Sequence, residues 1–310
     1  MKRNQFEIIA MASILAAAIS MVYFLIEKLD AFGSYYSIFV SSAVSATIAL
    51  YVSFIFKSLN KNPTPLRVFV IGQPRTGKTV YLSVLFDELQ RHSSNNIDFQ
   101  PYGSETVEKV NSNLQTLNKG SWVPRTEVNT AFYYRARASV GTGIFKNNYT
   151  LEVGDYAGEH IEEFNSSSEM WLHKTDYFKY ALASDALLFC IDGEILLKED
   201  RNKIESSQAI LLAAFQMLLS EKTINAGSKL KLPIGLVVLK SDLFTSEEQL
   251  TTLLEEYYYR LRGLINSKAM NYKEFYISSV GETNNGMPPL QLRPKRVVEP
   301  FIWLLKNSRV

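Results

Sequence analysis

The 310-residue sequence predicts an α/β fold: one large domain built on a doubly wound, mostly parallel sheet and preceded by a transmembrane helical hairpin. Two observations support this prediction. Two long stretches near the N-terminus have no charged side chain, whereas the rest of the chain has the composition of a soluble domain. In that remainder, short apolar runs alternate with helical patterns, as buried parallel strands alternate with their crossover helices.

The two uncharged stretches are residues 8–26 and 35–56. A bilayer core about 30 Å thick takes roughly 20 helical residues, so each stretch is long enough to cross it. We therefore expect a transmembrane hairpin over residues 1–57, in contact with membrane lipid through two spans. A pair of buried core helices is the alternative interpretation, whereas a cleaved signal peptide is disfavoured because its apolar region is shorter.

The positive side chains around the two stretches predict their orientation. Lys2 and Arg3 precede the first stretch, Lys57 and Lys61 follow the second, and the connecting loop contains only Lys28. By the positive-inside rule, both termini lie in the cytoplasm. The expected localisation is that of an integral membrane protein, in the inner or plasma membrane if the source is bacterial, with the large domain cytoplasmic.

Residues 58–65 contain two asparagines and two prolines, which break helices, so we expect a linker there and the large domain over 66–310. Strands are predicted at 66–71, 130–140, 149–153, 185–191, 233–239 and 274–278. Helices are predicted at 79–90, 204–219, 246–265 and 300–305, with an inserted helix near 105–117.

Charge and cysteine content exclude some function classes. The formal net charge is +2, so no strongly basic surface is implied and nucleic acid is not an expected partner. The one cysteine, Cys190, lies in an apolar run and is interpreted as a buried small hydrophobe. It has no partner for an intrachain disulfide, which is consistent with a reducing compartment.

A phosphate-binding loop is predicted where the first strand ends. The segment reads Gly72, Gln73, Pro74, Arg75, Thr76, Gly77, Lys78 and Thr79, followed by Val80. It matches GxxxxGK[ST] in full, directly after a strand and at the start of a helix, as the motif requires. Its backbone N–H groups can wrap a phosphate, Lys78 supplies a cation, and the Thr79 hydroxyl can ligate Mg²⁺. We therefore expect a P-loop NTPase fold.

A second motif follows the strand predicted at 149–153. Asp155 and Gly158 resemble the DxxG motif of GTPases. This resemblance implies that Asp155 holds Mg²⁺ through water and that the Gly158 amide senses the γ-phosphate and reorganises the following segment on hydrolysis. An ordinary turn is the alternative interpretation.

Two further segments resemble the guanine-binding elements of GTPases. Lys240 and Asp242 resemble the [NT]KxD signature, in which the carboxylate accepts hydrogen bonds from guanine N1–H and the exocyclic amine. The first position is Leu239 instead of Asn or Thr, so the loop-bracing hydrogen bond is missing, and a helix N-cap is the alternative for Asp242. Ser278 and Ser279 follow the last predicted strand and resemble the Ser-Ala-x segment whose backbone touches the guanine oxygen.

The catalytic residues implied by the same resemblance are Lys78, Thr126 and Glu159. Thr126 is expected to be the switch threonine that reaches Mg²⁺ and the γ-phosphate, with Thr130 as a competing candidate. The metal ligands are therefore Thr79, Thr126 and Asp155. Glu159 stands where many Ras-like GTPases have the glutamine that orients the attacking water.

The ordered motifs resemble those of membrane-anchored P-loop GTPases of the Ras-like, translation-factor-related class. Residues 122–126 and 298–305 are similar especially to bacterial double-GTPase-type domains. The resemblance implies a GTP- and GDP-binding switch that uses Mg²⁺, hydrolyses GTP slowly without an activator, and recruits or releases a cytoplasmic protein partner. For Arg75 and Arg125, the two interpretations are a cation that acts in cis and a solvated loop cation. The alternative functions are a nucleotide-bound membrane scaffold without significant hydrolysis and an ATP-using P-loop protein.

Overall fold

The computed structural model describes residues 62–91, 97–125, 131–141, 146–156, 176–223, 225 and 227–308, with a few positions between 42 and 52. The chain divides into two compact units. One comprises Met1–Pro63 with Gly141–Asn148, and the other comprises Thr64–Val140 with Tyr149–Val310. In the first unit, the described positions between 42 and 52 are helical. The second unit contains the sheet apart from Asn147 and Asn148, together with the described residues of the predicted motifs.

The second unit alternates strands and helices along the chain. Its strands are β1 (Thr64–Ile71), β2 (Ile97–Pro101), β3 (Ala131–Val140), β4 (Asn147–Tyr156), β5 (Ala186–Asp192), β6 (Leu230–Leu239) and β7 (Ala269–Tyr276). Its helices are α1 (Lys78–Arg91), α2 (Ser104–Asn118), α3 (Asp176–Ala183), α4 (Gly193–Leu197), α5 (Arg201–Lys222), α6 (Glu247–Tyr257), α7 (Tyr259–Lys268) and α8 (Glu299–Asn307).

The strands form one seven-stranded sheet in the order β2-β3-β4-β1-β5-β6-β7. β1 pairs in parallel with β4 and β5, and β5, β6 and β7 continue in parallel. β2 pairs antiparallel with β3, so the sheet is mixed. Because parallel strands end at the same edge, the carboxyl ends of β1, β4, β5, β6 and β7 lie at one edge of the sheet, where α/β proteins bind ligands.

Both faces of the sheet are covered by helices, because side chains alternate along each strand. In β1, Leu66, Val68 and Val70 pack on one face with α1, α2 and α8. Phe69 and Ile71 pack on the other face with helices α3 to α7. The predicted α/β architecture is therefore present, as a mixed, doubly wound sheet.

Several local elements differ from the sequence-based expectations. The helix predicted at 246–265 is two helices, because the chain bends at Tyr258, whose ring is buried in the core. β2, α3 and α4 were not predicted. They are short, with at most eight residues each, so periodicity is a weak signal for them.

The prediction of a transmembrane hairpin over residues 1–57 is corrected. Among the helices in the described part of the chain, none combines the length and apolar character needed to cross a membrane. The longest, Arg201–Lys222, has charged side chains in its first and last turns. The same finding overturns the predicted integral-membrane localisation. The predicted span at 8–26 lies outside the described residues, as does most of the span at 35–56.

Candidate functional site

The P-loop connects the end of β1 to the start of α1 and curls around a buried lysine. Lys78 Nζ donates hydrogen bonds to the carbonyl oxygens of Gly72 (2.6 Å) and Gln73 (2.9 Å). The Thr76 hydroxyl donates to the same Gln73 carbonyl at 2.6 Å. Gly77 has a φ of 99°, which glycine adopts without steric cost. The loop therefore holds a preformed, cationic concavity at a helix N-terminus, which suits a phosphate chain.

Gly72 is required where β1 meets its neighbour β5. A Cβ atom at this position would lie 2.8 Å from the Cys190 carbonyl oxygen and 3.0 Å from the Cys190 Cβ. Burial raises the pKa of the Cys190 thiol to about 12, with the Lys78 charge opposing and Asp155 reinforcing the shift. The start of the P-loop is thus fixed by close backbone packing, and ionisation of the buried Cys190 thiol is disfavoured.

The C-terminal end of β4 and the N-terminal end of α1 together form a candidate magnesium site. The Thr79 hydroxyl donates to Asp155 Oδ2 at 2.8 Å, although the two residues are 76 positions apart. Asp155 is buried, and its Oδ1 atom has no hydrogen-bond partner among the described residues. Burial raises the pKa of Asp155, and the Lys78 charge and the Thr79 hydrogen bond oppose that rise. A buried carboxylate oxygen without a partner, beside a hydroxyl, fits Mg²⁺ held partly through water.

A cleft of about 670 Å³ is lined by both the P-loop and the Lys240–Asp242 motif. Residues 74–80 of the P-loop form one wall, and residues 122–125 border it. Lys240, Asp242 and Ser279 also line it. A volume of this size accommodates a ligand such as a nucleotide.

The Lys240–Asp242 motif follows β6 at the carboxyl edge of the sheet and is tied to the chain that follows β7. The Ser241 N–H donates to the Ile277 carbonyl at 3.0 Å, which ties the motif to the chain after β7. Ser278 is fully buried, is not among the cleft-lining residues, and its hydroxyl accepts from the Gly281 N–H at 3.0 Å. Of the two serines predicted at this position, Ser279 is therefore the one that lines the cleft.

Two acidic residues near the cleft were missed as site residues by sequence reasoning. Lys240 Nζ donates to Asp192 Oδ2 at 2.9 Å and to Glu194 Oε2 at 3.1 Å. Burial raises the pKa of Asp192 against the opposing charge of Lys240, whereas hydrogen bonds from Lys198 and then Lys240 lower the pKa of Glu194. The available signal was Asp192 itself, because a carboxylate that ends a buried strand lies at the ligand-binding edge.

The predicted residues differ in where the structure places them. Residues 74–80 of the P-loop, Lys240, Asp242 and Ser279 line the cleft, and Asp155 lies beside Thr79. Gly72, Gln73 and Ser278 are not among the cleft-lining residues. Thr126, Gly158 and Glu159 lie outside the described residues, as does the competing Thr130. The alternative cations Arg75 and Arg125 both line the cleft.

A mixed sheet covered by helices, with a P-loop and a Thr–Asp pair at its carboxyl edge, defines the class of P-loop NTPases. Residues 69–240, more than half of the chain, match the family model Double-GTPase 1. The chain therefore belongs to the Double-GTPase 1 family.

Two comparisons add little to this assignment. No curated protein matches the chain. A solved structure of the Arl6 (BBS3) small GTPase from Trypanosoma brucei, with the bound nucleotide analogue GppNp, is similar at 14% sequence identity. The match covers 79% of this chain and 98% of that chain, with a TM-score of 0.41.

Proposed function

We propose that the chain is a guanine-nucleotide switch that hydrolyses GTP slowly and changes its affinity for a protein partner as it does so. Family membership supports GTP hydrolysis in general. The observation that carries the finer proposal is the cleft of about 670 Å³, whose lining includes both the P-loop and the Lys240–Asp242 motif. One ligand with a phosphate chain at one end and a purine at the other would use both ends.

In this proposal each end of the cleft has its own task. Lys78 and the P-loop amides bind the β- and γ-phosphates. Thr79 and Asp155 hold Mg²⁺, which when bound neutralises charge on the phosphate oxygens. Asp242 accepts hydrogen bonds from guanine N1–H and the exocyclic amine, a pattern that adenine does not present.

Slow turnover is proposed because the sequence has a glutamate where related GTPases use a glutamine. Glu159 is assigned the positioning of the attacking water. Thr126 and the Gly158 amide are assigned contacts with Mg²⁺ and the γ-phosphate, so that both segments rearrange when that phosphate leaves. Ras-like proteins without an activating arginine turn over at roughly 10⁻⁴ to 10⁻³ per second. We expect a rate of this order for the protein alone.

Binding measurements on the full chain test the base assignment. We expect calorimetry in Mg²⁺ to show GTP and GDP binding at least about 100-fold tighter than ATP, because the Asp242 carboxylate finds no matching donors on the adenine edge. Asp242→Asn is expected to weaken GTP binding and to favour xanthosine triphosphate, whose base presents an acceptor at the altered position. Equal affinities for ATP and GTP in the unmodified chain would refute the guanine assignment.

A second candidate is a scaffold that keeps its nucleotide bound without significant turnover. Pro74 lines the cleft within the P-loop, where bulk would crowd an incoming arginine from an activator. Single-turnover hydrolysis with and without cell extract separates the two candidates. A switch is expected to be accelerated by an activator in the extract, whereas a scaffold would remain inert in both conditions.

A further inference from the structure

The loop that carries Lys240 and Asp242 lacks a side-chain brace of its own. Its first position is occupied by Leu239, whose side chain is buried among apolar side chains and can neither donate nor accept a hydrogen bond. Lys240 also has a φ of 60°, a left-handed conformation that is uncommon for a residue with a side chain. Such a conformation persists only where neighbouring structure supports it.

That support comes from the junction of β5 and α4. The Lys240 ammonium donates to Asp192 Oδ2 at 2.9 Å and to Glu194 Oε2 at 3.1 Å. The other oxygen of Asp192 accepts from the Glu194 N–H at 2.9 Å and so caps the N-terminus of α4. The side chain of Asp192 is only 8% exposed, so this ion pair is shielded from water more than a surface pair is.

The backbone of α4 packs against the same loop. A Cβ atom on Gly193 would lie 2.5 Å from the Leu239 carbonyl oxygen and 3.2 Å from the Lys240 carbonyl oxygen. It would also lie 3.1 Å from the Phe244 ring. Only glycine allows this approach, so the first turn of α4 lies directly against the motif.

We propose that Asp192, Gly193 and Glu194, here called the α4 brace, position Lys240 for purine binding in place of the missing Asn or Thr. The inference rests on the proposed guanine-binding function and identifies which residues shape the base end of that site. Lys240 lines the cleft, and its ammonium is held by α4. Its methylene stem is therefore the part of the side chain left to contact the base.

Asp192→Asn on the full chain tests the brace. Asparagine caps a helix about as well as aspartate and has nearly the same size, so the substitution removes mainly the charge that holds Lys240. We expect GTP binding in Mg²⁺ to weaken about tenfold, the lower end of what a hydrogen bond to a charged group contributes. Binding of inorganic tripolyphosphate with Mg²⁺ should change less than about twofold, because it contacts no base-binding residue.

Asp200→Asn is the matched control. Asp200 also caps a helix, through the Lys203 N–H at 3.2 Å, and pairs with the Lys203 ammonium at 2.9 Å. It is not among the cleft-lining residues. This variant is expected to bind GTP and tripolyphosphate as the unmodified chain does.

A double-mutant cycle shows whether Asp192 acts through Lys240. Lys240→Met keeps an unbranched stem and removes the ammonium. In that background, Asp192→Asn should change GTP affinity less than about twofold, because the partner charge is already gone. Full additivity of the two substitutions would overturn the proposal.

The remaining outcomes are also decisive. If the unmodified chain binds GTP and Asp192→Asn binds it as tightly as Asp200→Asn does, the brace is refuted and the proposed function stands. If Asp192→Asn loses tripolyphosphate binding to the same extent as GTP binding, Asp192 supports the fold in general and not the base site. If the unmodified chain binds no guanine nucleotide, the proposed function and the brace fail together.

Discussion

Replacing Thr79 with valine tests the candidate magnesium site directly. Valine keeps the β-branched shape of threonine and removes the hydroxyl that donates to Asp155 Oδ2 at 2.8 Å. Asp155 Oδ1 already has no partner among the described residues. After the substitution, neither oxygen of the buried Asp155 carboxylate accepts a hydrogen bond from the described residues.

The expected loss of folding stability follows from the burial of Asp155. A hydrogen bond to a charged group contributes about 1.5–3 kcal/mol to stability. For a domain of this size, about 1 kcal/mol shifts the melting temperature by roughly 2–4 °C, so the expected decrease without nucleotide or metal is about 3–12 °C. The pKa of Asp155, already raised by burial, should rise further when the opposing hydrogen bond from Thr79 is lost.

The assay combines thermal melting in EDTA with GTP calorimetry in EDTA and in Mg²⁺. Changes in the second shell of a metal site alone reduce metal affinity about 10- to 100-fold. Mg²⁺ should raise the GTP affinity of the unmodified chain. We expect this increase to be at least about tenfold smaller in Thr79→Val. Thr116→Val is the control, since the Thr116 hydroxyl donates an exposed hydrogen bond to the Ser112 carbonyl of its own helix. A Thr79→Val variant with unchanged melting and an undiminished effect of Mg²⁺ would refute the assignment.

Two further predictions concern the start of the P-loop. Gly72→Ala should destabilise the protein by about 1–3 kcal/mol in urea unfolding, because the added Cβ would lie 2.8 Å from a strand carbonyl of Cys190. The control is Gly263→Ala in α7, where an added Cβ meets nothing within 4 Å, so this substitution should be neutral or stabilising. Equal unfolding midpoints for Gly72→Ala and the unmodified chain would contradict the packing argument. Burial raises the pKa of Cys190 to about 12, so only about one thiol in 10⁴ is ionised at pH 8. Iodoacetamide should therefore label Cys190 in urea and not in the native state. Rapid labelling of the native protein would show that Cys190 is accessible.

The sequence was most informative where the signal is local. The strand predicted at 66–71 is confirmed as Thr64–Ile71, and the inserted helix predicted near 105–117 is confirmed as Ser104–Asn118. The P-loop was identified because its glycines, lysine and threonine stand at fixed spacing between a strand and a helix. The order of the guanine-type segments followed from the same local patterns.

Short elements and contacts between distant residues were less predictable. β2 has only five residues, which is too few for periodicity to distinguish a strand from a loop. The bend at Tyr258 depends on a ring buried between elements, so the continuous pattern of 246–265 does not reveal it. Whether Ser278 or Ser279 lines the cleft was equally undetermined, because it depends on the turn that the Ser278 hydroxyl closes with Gly281.

The sequence by itself determined the order of the longer strands and helices and the residue types of the P-loop and the Lys240–Asp242 motif, because these depend on periodicity and spacing along the chain. Only the tertiary structure decided that Thr79 meets Asp155 and that Lys240 meets Asp192, pairs that are 76 and 48 residues apart. The physical reason is that the parallel strands end at one edge of the sheet, and their order in the sheet, set by packing on both faces, decides which loops become neighbours.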